Sequence, residues 1–504
     1  MSTNRKAWLG RSMVDLIGAF ALAFVHQYLF YGNIPGVSYP LFVILLYVYL
    51  FHDRKDKLRE ITGFGWFLFV VILLLSMTYA LFDSLIFYLL NMVAVPSLIF
   101  IHLAYTRGAK NIFWWDIRIV GAALDHLIPQ SLRHIPTVFR IIKVSTVRKV
   151  DAEHKSVMRK VLIGLVIALP LLIIVVNLLA NADGVFNRVL TGVPEWWNRL
   201  SLGESIMRGV WIIVFGFLFF GYFWGFVKPK RSAKRQVKSG AEEGIAEGAR
   251  FKIDPVILVT LLISVNAVYV LFVAVQFSYL FGAWDGALPD GKTYAEYARS
   301  GFVELVTVTV INFAILMVSL VYGGGQGNGV LKRTNALLLY IMIGCSGVML
   351  YSAYMRLVLY EEVYGYTYIR FLVHAFMIYL ALLLIIAALR IRTSIVPLAK
   401  CYIVISLAAY VLVNYVGMDR IIAEKNIERF RDSGIIDREY ISNLSMDAIP
   451  ALVKLSKQED PGMKPLLEKR WVALMANEDR KWPSFNGSIY RAEKELSRLF
   501  KQDR

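Results

Sequence analysis

Apolar runs long enough to cross a bilayer recur along nearly the whole chain, and that recurrence leaves few folds open. A helix needs about 20 apolar residues to span a hydrocarbon core of ~30 Å. Such runs can be drawn at 13–31, 38–52, 63–82, 84–105, 158–181, 205–227, 255–281, 303–322, 334–359, 366–390 and 395–416. Inside lipid, every backbone N–H and C=O must be met within the protein, so only helices and closed barrels can span. Runs of this length select helices. The chain therefore reads as all-α: a polytopic membrane helix bundle of about 11 transmembrane helices, plus a small helical C-terminal region.

Composition agrees. Of 504 residues, 57% are hydrophobic and only 18% are charged, too few to cover a soluble protein of this size. The formal charge of +18 would suit nucleic acid in a soluble chain. In a membrane protein it is the ordinary result of Lys and Arg gathering in cytoplasmic loops and beside anionic lipid, so no nucleic-acid partner is implied. Cys345 and Cys401 both fall in apolar segments and imply no disulfide. No metal-ligand motif, phosphate loop or nucleophile elbow is present, and no cofactor is implied. At the N-terminus, Arg5, Lys6 and Arg11 precede an apolar run that carries Asp15, His26 and Gln27. It is long for a signal core and lacks a clear cleavage site, so it reads as an uncleaved first helix.

Loop charge orders the spans. Segments 52–60, 106–157, 228–254, 323–333 and 391–394 are basic or hold Lys/Arg pairs, whereas 32–37, 83, 182–204, 282–302 and 360–365 are neutral, acidic or mixed. The two kinds alternate if the N-terminus is cytoplasmic, which puts the C-terminus outside. Four parts follow: a four-helix membrane segment at 1–106, a cytoplasmic amphipathic basic segment at 107–157, a seven-helix membrane core at 158–417 and a helical, extracytoplasmic extension at 418–504. Within 107–157, apolar residues from Ile117 to Ile128 and the basic Arg133, Arg140 and Lys143 predict one or two amphipathic helices on the inner leaflet, broken at Pro129 and Pro136.

Ionisable residues at the ends of spans are the candidates for function, because lipid makes them costly unless they are paired or wet. Glu296 and Arg299, three apart, share a helix face, and Glu304 stands at the mouth of the next span. In 351–374, Arg356 and Tyr360 end one span, Glu361 and Glu362 follow, and Arg370 and His374 enter the next. Arginine offers a planar fork for phosphate or carboxylate, so these residues read either as ion pairs locking two helices or as a binding site for an anion or lipid headgroup. Asp183, just after a span, is a weaker candidate.

LLANADGVF at 178–186, VQFSYLFG at 275–282, TYAEYARSGFVEL at 293–305, RLVLYEEVYGYTYIRF at 356–371 and DREYISNLSMDAIPAL at 437–452 resemble a bacterial polytopic membrane family. It is known only as a domain of unknown function, four-one-seven-three with the related four-one-five-three. The resemblance covers roughly 155–455. It implies a multi-pass protein of the bacterial cytoplasmic membrane and supplies no catalytic residues.

Three readings of function stay open: transport or handling of a lipid or anionic solute at the outer face, a non-catalytic partner or sensor subunit of an envelope or signalling complex, and a membrane transferase acting on a lipid-linked substrate. The partners implied are the lipid bilayer, anionic lipid at the cytoplasmic basic segments and a membrane or envelope protein. The topology is directly testable. Single cysteines at Gly240, Asp290 and Phe500 should react with an impermeant thiol reagent in intact cells at 290 and 500 only; labelling at 240 but not 290 would reverse the orientation.

Overall fold

The structure, a computed structural model, describes residues 2–53, 61–108, 112–146, 202–229, 254–282, 302–322, 329–393, 395–476 and 480–500, with single positions at 164 and 168. The expected span at 158–181 and Asp183 lie outside these. Among the described residues there are helices and no strands, as the all-α reading expects. Among the described residues, eight helices are long and apolar enough to cross a membrane, and Ser38–Phe51 and Leu305–Val321 are shorter apolar helices.

The chain divides into two compact units. The first comprises 1–65, 100–112 and 117–231. It contains α1 (Ser2–Phe30), α2 (Ser38–Phe51), the end of α4 (Leu85–Arg107), α5 (Arg118–Asp125), α6 (Ser131–Thr146) and α7 (Leu202–Val227). α1 packs along α7, with Phe20 edge-on to Phe217 at 5.8 Å. The Trp211 indole N–H donates to His26 Nδ1 at 2.9 Å, so the histidine inside the first span has a partner. α5 and α6 are joined by a π-helical turn, His126–Gln130, that contains Pro129.

The expected break at Pro136 does not occur: α6 runs through it. Pro136 and Leu132, whose carbonyl loses its helical donor, are both exposed, so the defect lies off the packed face. That face buries Val138 and Ile141 and sets Phe139 against Phe217. The backbone of α6 meets α7 closely. A Cβ at Gly221 would lie 2.6 Å from the Ser131 carbonyl oxygen, so only glycine permits this approach.

The second unit comprises 66–99, 113–116 and 232–504. It holds most of α3 (Gly63–Leu81) and of α4, then α8 (Pro255–Gly282), α9 (Phe302–Tyr322), α10 (Gly329–Tyr364), α11 (Tyr368–Arg392) and α12 (Leu398–Tyr415). Ser346, Met349, Ala353 and Leu357 line the buried side of α10, and Leu305 of α9 and Met377 and Leu380 of α11 pack there. One polar cluster in this bundle is built from side chains of three helices. Asn91 on α4 donates to Thr78 of α3 at 3.0 Å and to Asn414 of α12 at 2.7 Å, and accepts from the Tyr410 hydroxyl at 2.8 Å. Trp115, in the short 113–116 stretch, carries the Lys400 ammonium over its ring at 3.9 Å.

The C-terminal region forms α13 (Met418–Ser433), α14 (Arg438–Ser442), α15 (Ile449–Gln458), α16 (Lys464–Met475) and α17 (Gly487–Phe500). They close around a core of Ile422, Ile449, Leu452, Met463, Leu467 and Leu496, each almost fully buried. Phe87 of α4 belongs to the same cluster, and Tyr366, Phe371 and Leu372 pack against it, so the C-terminal region is part of the unit rather than a tethered tail.

α10 is 36 residues long, about 54 Å at 1.5 Å per residue, and overruns the bilayer. It ends at Gly365, which has φ +78° and donates its N–H to the Glu361 carbonyl at 2.8 Å. A Cβ there would stand 2.5 Å from Asn426 Oδ1. Gly365→Ala should therefore lose about 1–2 kcal/mol from the left-handed conformation alone, and more from displacing Asn426. The check is a lowered thermal midpoint together with faster proteolysis of the C-terminal helices; unchanged values would refute the contact.

Candidate functional site

The hairpin between α10 and α11 carries most of the residues singled out in the sequence, and its geometry follows from the turn. Gly365 ends α10, Thr367 is extended, and α11 starts at Tyr368, so residues on the two facing helices meet across a short gap. Glu361 is almost fully buried, and its Oε2 lies 2.8 Å from His374 Nε2. Tyr354 stands edge-on to the imidazole at 4.8 Å. Glu361 Oε1 and His374 Nδ1 are buried with no hydrogen-bond partner among the described residues. The pair can exchange a proton and still has one acceptor and one ring nitrogen to offer.

Arg370 donates to the Gly365 carbonyl, and its guanidinium lies over the Tyr360 ring at 4.3 Å. It has no carboxylate partner among the described residues. Arg356 is half-buried on α10, one turn before Tyr360, and the Glu362 side chain is exposed. The structure thus brings Glu361 to His374 and Arg370 to Tyr360. Glu304 is in the first turn of α9, where Leu305 packs with Ala353 and Leu357, while Glu296 and Arg299 lie outside the described residues.

The sequence reading missed what covers this hairpin. The Asn426 side-chain amide donates to the Tyr366 carbonyl at 2.9 Å and accepts from the Tyr366 N–H at 3.1 Å. Arg429 donates to the carbonyls of Glu362 and Val363, at 2.8 and 2.5 Å. The Tyr368 hydroxyl donates to Asp419, which also accepts from the Ser445 N–H at 3.0 Å. Helix ends leave carbonyls and N–H groups without partners, and polar side chains of α13 meet them here. No motif in the sequence marks Asp419, Asn426 or Arg429 as partners of this turn.

The C-terminal region covers the α3–α4 turn in the same way. Asn486 donates to the carbonyls of Tyr79 and Phe82, at 2.9 and 2.8 Å, while its oxygen caps α17 by accepting from the N–H groups of Ser488 and Ile489. Asp83 and Asp447 exchange caps: the Asp83 N–H donates to Asp447 Oδ2 at 2.9 Å, and the Met446 N–H donates to Asp83 Oδ2 at 3.2 Å. Beneath this turn a cavity of about 20 Å³ is lined by Thr78, Tyr79, Ser84, Tyr88 and Asn414. It has room for a water molecule and not for an organic ligand.

No grouping of three or more His, Cys, Asp or Glu suited to a metal ion is present among the described residues. A family model described as a domain of unknown function (DUF4153) matches residues 69–455. That is well over half of the chain, which therefore belongs to the DUF4153 family: a multi-pass membrane protein whose fold is a helical bundle. The match begins earlier than the resemblance at 155–455 and includes the α3–α4 hairpin. No curated protein and no solved structure matches the chain significantly.

The carboxyls at the α3–α4 turn make its docking pH-dependent. Burial raises the Asp83 pKa above 3.8, as does the nearby Asp447. Burial likewise raises that of Asp447, helped by Asp419. A folded value above the unfolded one means the folded state holds its proton more tightly. The contribution is fully present below about pH 4 and is lost as pH rises through the raised folded values. The thermal midpoint should therefore fall as pH is raised from about 4 toward neutrality. Asp83→Asn should flatten that slope, and a rise in midpoint over this range would contradict the assignment.

Proposed function

We propose that the protein handles an anionic lipid headgroup or a small anionic solute at the α10–α11 hairpin, at the face of the membrane on which the C-terminal region lies. The observation that carries this reading is Arg370. Its guanidinium is held by the Gly365 carbonyl and the Tyr360 ring, yet no carboxylate neutralises it among the described residues. A guanidinium fixed by a carbonyl and a ring keeps N–H groups for phosphate or carboxylate, and little side-chain entropy remains to be lost on binding. Beside it, Glu361 and His374 can take or give a proton as the charge of the ligand changes. Arg356 on α10 would add a second positive charge. Glu296, Arg299 and Glu304 are proposed from the sequence as further members of the site; that Leu305, beside Glu304 in α9, shares a core cluster with Ala353 and Leu357 of α10 supports Glu304. The alternation of basic and neutral loops supports an outer position for this face in a bacterial cytoplasmic membrane, with anionic lipid at the basic segments on the other side.

A role as a membrane or envelope partner is the second reading. It is favoured by Trp482, Phe485 and Tyr490, which are half-exposed around the Asn486 cap, where aromatic rings suit an interface.

The test is retention of ligand by the purified full chain. In nanodiscs of mixed lipid, the wild type should enrich phosphatidylglycerol; in detergent, it should bind inorganic phosphate if the natural ligand is a free solute. Arg370→Gln should lower the responding affinity by about tenfold or more, the cost of one charge-assisted hydrogen bond, with Arg370→Lys intermediate. Equal retention by wild type and variant in both formats would end the proposal and leave the partner reading ahead.

A further inference from the structure

The first unit contains another histidine–carboxylate pair, and its hydrogen bonds fix a proton count. Asp15 lies on α1, five residues beyond Gly10, where the apolar stretch begins, and its side chain is 2% exposed. An isolated carboxylate in that position is expensive. His52 follows α2, and its Nε2 lies 2.9 Å from Asp15 Oδ1. The other ring nitrogen, Nδ1, lies 2.6 Å from the Tyr49 carbonyl oxygen. A carbonyl oxygen can only accept, so Nδ1 carries a hydrogen.

The contact at Nε2 then decides the rest. A neutral imidazole protonated on Nδ1 presents a lone pair at Nε2, and an ionised carboxylate also only accepts. Two acceptors facing each other at 2.9 Å would repel. The hydrogen bond needs one more proton, either on Nε2, giving imidazolium and carboxylate, or on Oδ1, giving imidazole and carboxylic acid. In both forms the pair holds one proton beyond neutral histidine and ionised aspartate.

The surroundings hold this arrangement and leave one route in. The imidazole stacks on Phe223 of α7 at 5.1 Å and on Tyr49 at 5.8 Å, and the Tyr49 hydroxyl donates to the Asp15 carbonyl at 3.1 Å. The charged and titratable groups around the pair are Arg11 on α1, Tyr49 on α2 and Asp53 just after it; Arg107 at the end of α4 acts on Tyr49, and Tyr222 on α7 faces Arg107. Arg107 is fully buried, pairs with Asp53 at 3.0 Å and lies over Phe51, Phe223 and Phe226. Asp15 Oδ2 is buried and has no hydrogen-bond partner among the described residues. The His52 side chain is 32% exposed at the end of α2, where the basic loop 52–60 begins, whereas Asp15 is buried within the span of α1.

We propose that Asp15 and His52 form a proton-binding site, which takes one proton from water through His52 and holds it at the start of the first membrane helix. Uptake makes and breaks no other covalent bond. Release leaves two facing acceptors and removes the link between α1 and the end of α2, so occupancy of this site sets how firmly those helices are joined.

The test uses the full chain in lipid nanodiscs with 15N-labelled histidine at about pH 8, where an unpartnered histidine is almost wholly neutral. His52→Gln assigns the resonance. In the wild type, either both His52 nitrogens carry hydrogen, or an infrared carboxylic-acid band is present that Asp15→Asn removes. In Asp15→Asn, His52 should show a single protonated nitrogen, with the signal of His26, bonded to Trp211, unchanged as a check on folding. A wild-type His52 with one protonated nitrogen and no acid band assignable to Asp15 overturns the proposal, whether or not the variants fold.

Discussion

Helix ends leave backbone carbonyls without intrahelical donors, and where membrane helices turn that demand falls on water or on other parts of the chain. In the second unit it is met by side chains from another part of the chain. Asn426 and Arg429 take the carbonyls of Glu362, Val363 and Tyr366 at one turn, and Asn486 takes those of Tyr79 and Phe82 at another. The amides and the guanidinium satisfy several acceptors at once, so a small helical domain with a modest core can hold two hairpins in fixed relation. The same contacts remove freedom from the α10–α11 turn, which is what a binding site for a charged group needs.

The bundle was legible because its signal is physical and long-range in the chain. An apolar run of twenty residues has few ways to satisfy its backbone, so the spans from 13–31 to 395–416 point to helices, and the described ones are helical. The C-terminal region was legible as helical, and Pro461, Pro465 and Pro483 each fall in the first turn of a helix, where a missing N–H costs nothing. What it rests on was not legible. Asp83 read as the turn of a hairpin, whereas its reciprocal cap with Asp447 joins residues 364 positions apart. No local pattern records such a pairing.

Candidate residues divide along the same line. Glu361, Arg370, His374 and Tyr360 stood out because they lie close in sequence around one turn, and a tight hairpin brings close residues together. The pairing among them still differs from simple charge matching. Burial gives Glu361 to the uncharged-capable His374, while Arg370 takes a carbonyl and a ring. Asp15 was visible only as a polar residue in an apolar run, and His52 and Asp53 only as the start of a loop read for its basic charge. Reading a loop for its side of the membrane conceals which of its members turn inward.

The two histidine–carboxylate pairs show why a distance alone does not define chemistry. Each joins an imidazole nitrogen to a buried carboxyl at nearly the same separation, 2.8 and 2.9 Å. His374 has no partner at Nδ1 among the described residues, so a neutral ring with its hydrogen on Nε2 satisfies the contact at Glu361 Oε2. That pair can stand with or without an extra proton, which suits a site that must follow the charge of a ligand. His52 has its Nδ1 hydrogen committed to the Tyr49 carbonyl. Its bond to Asp15 therefore exists only when a further proton is present. One carbonyl oxygen on α2 turns an otherwise adaptable pair into one whose contact depends on protonation, and it does so inside a helix that begins the membrane bundle.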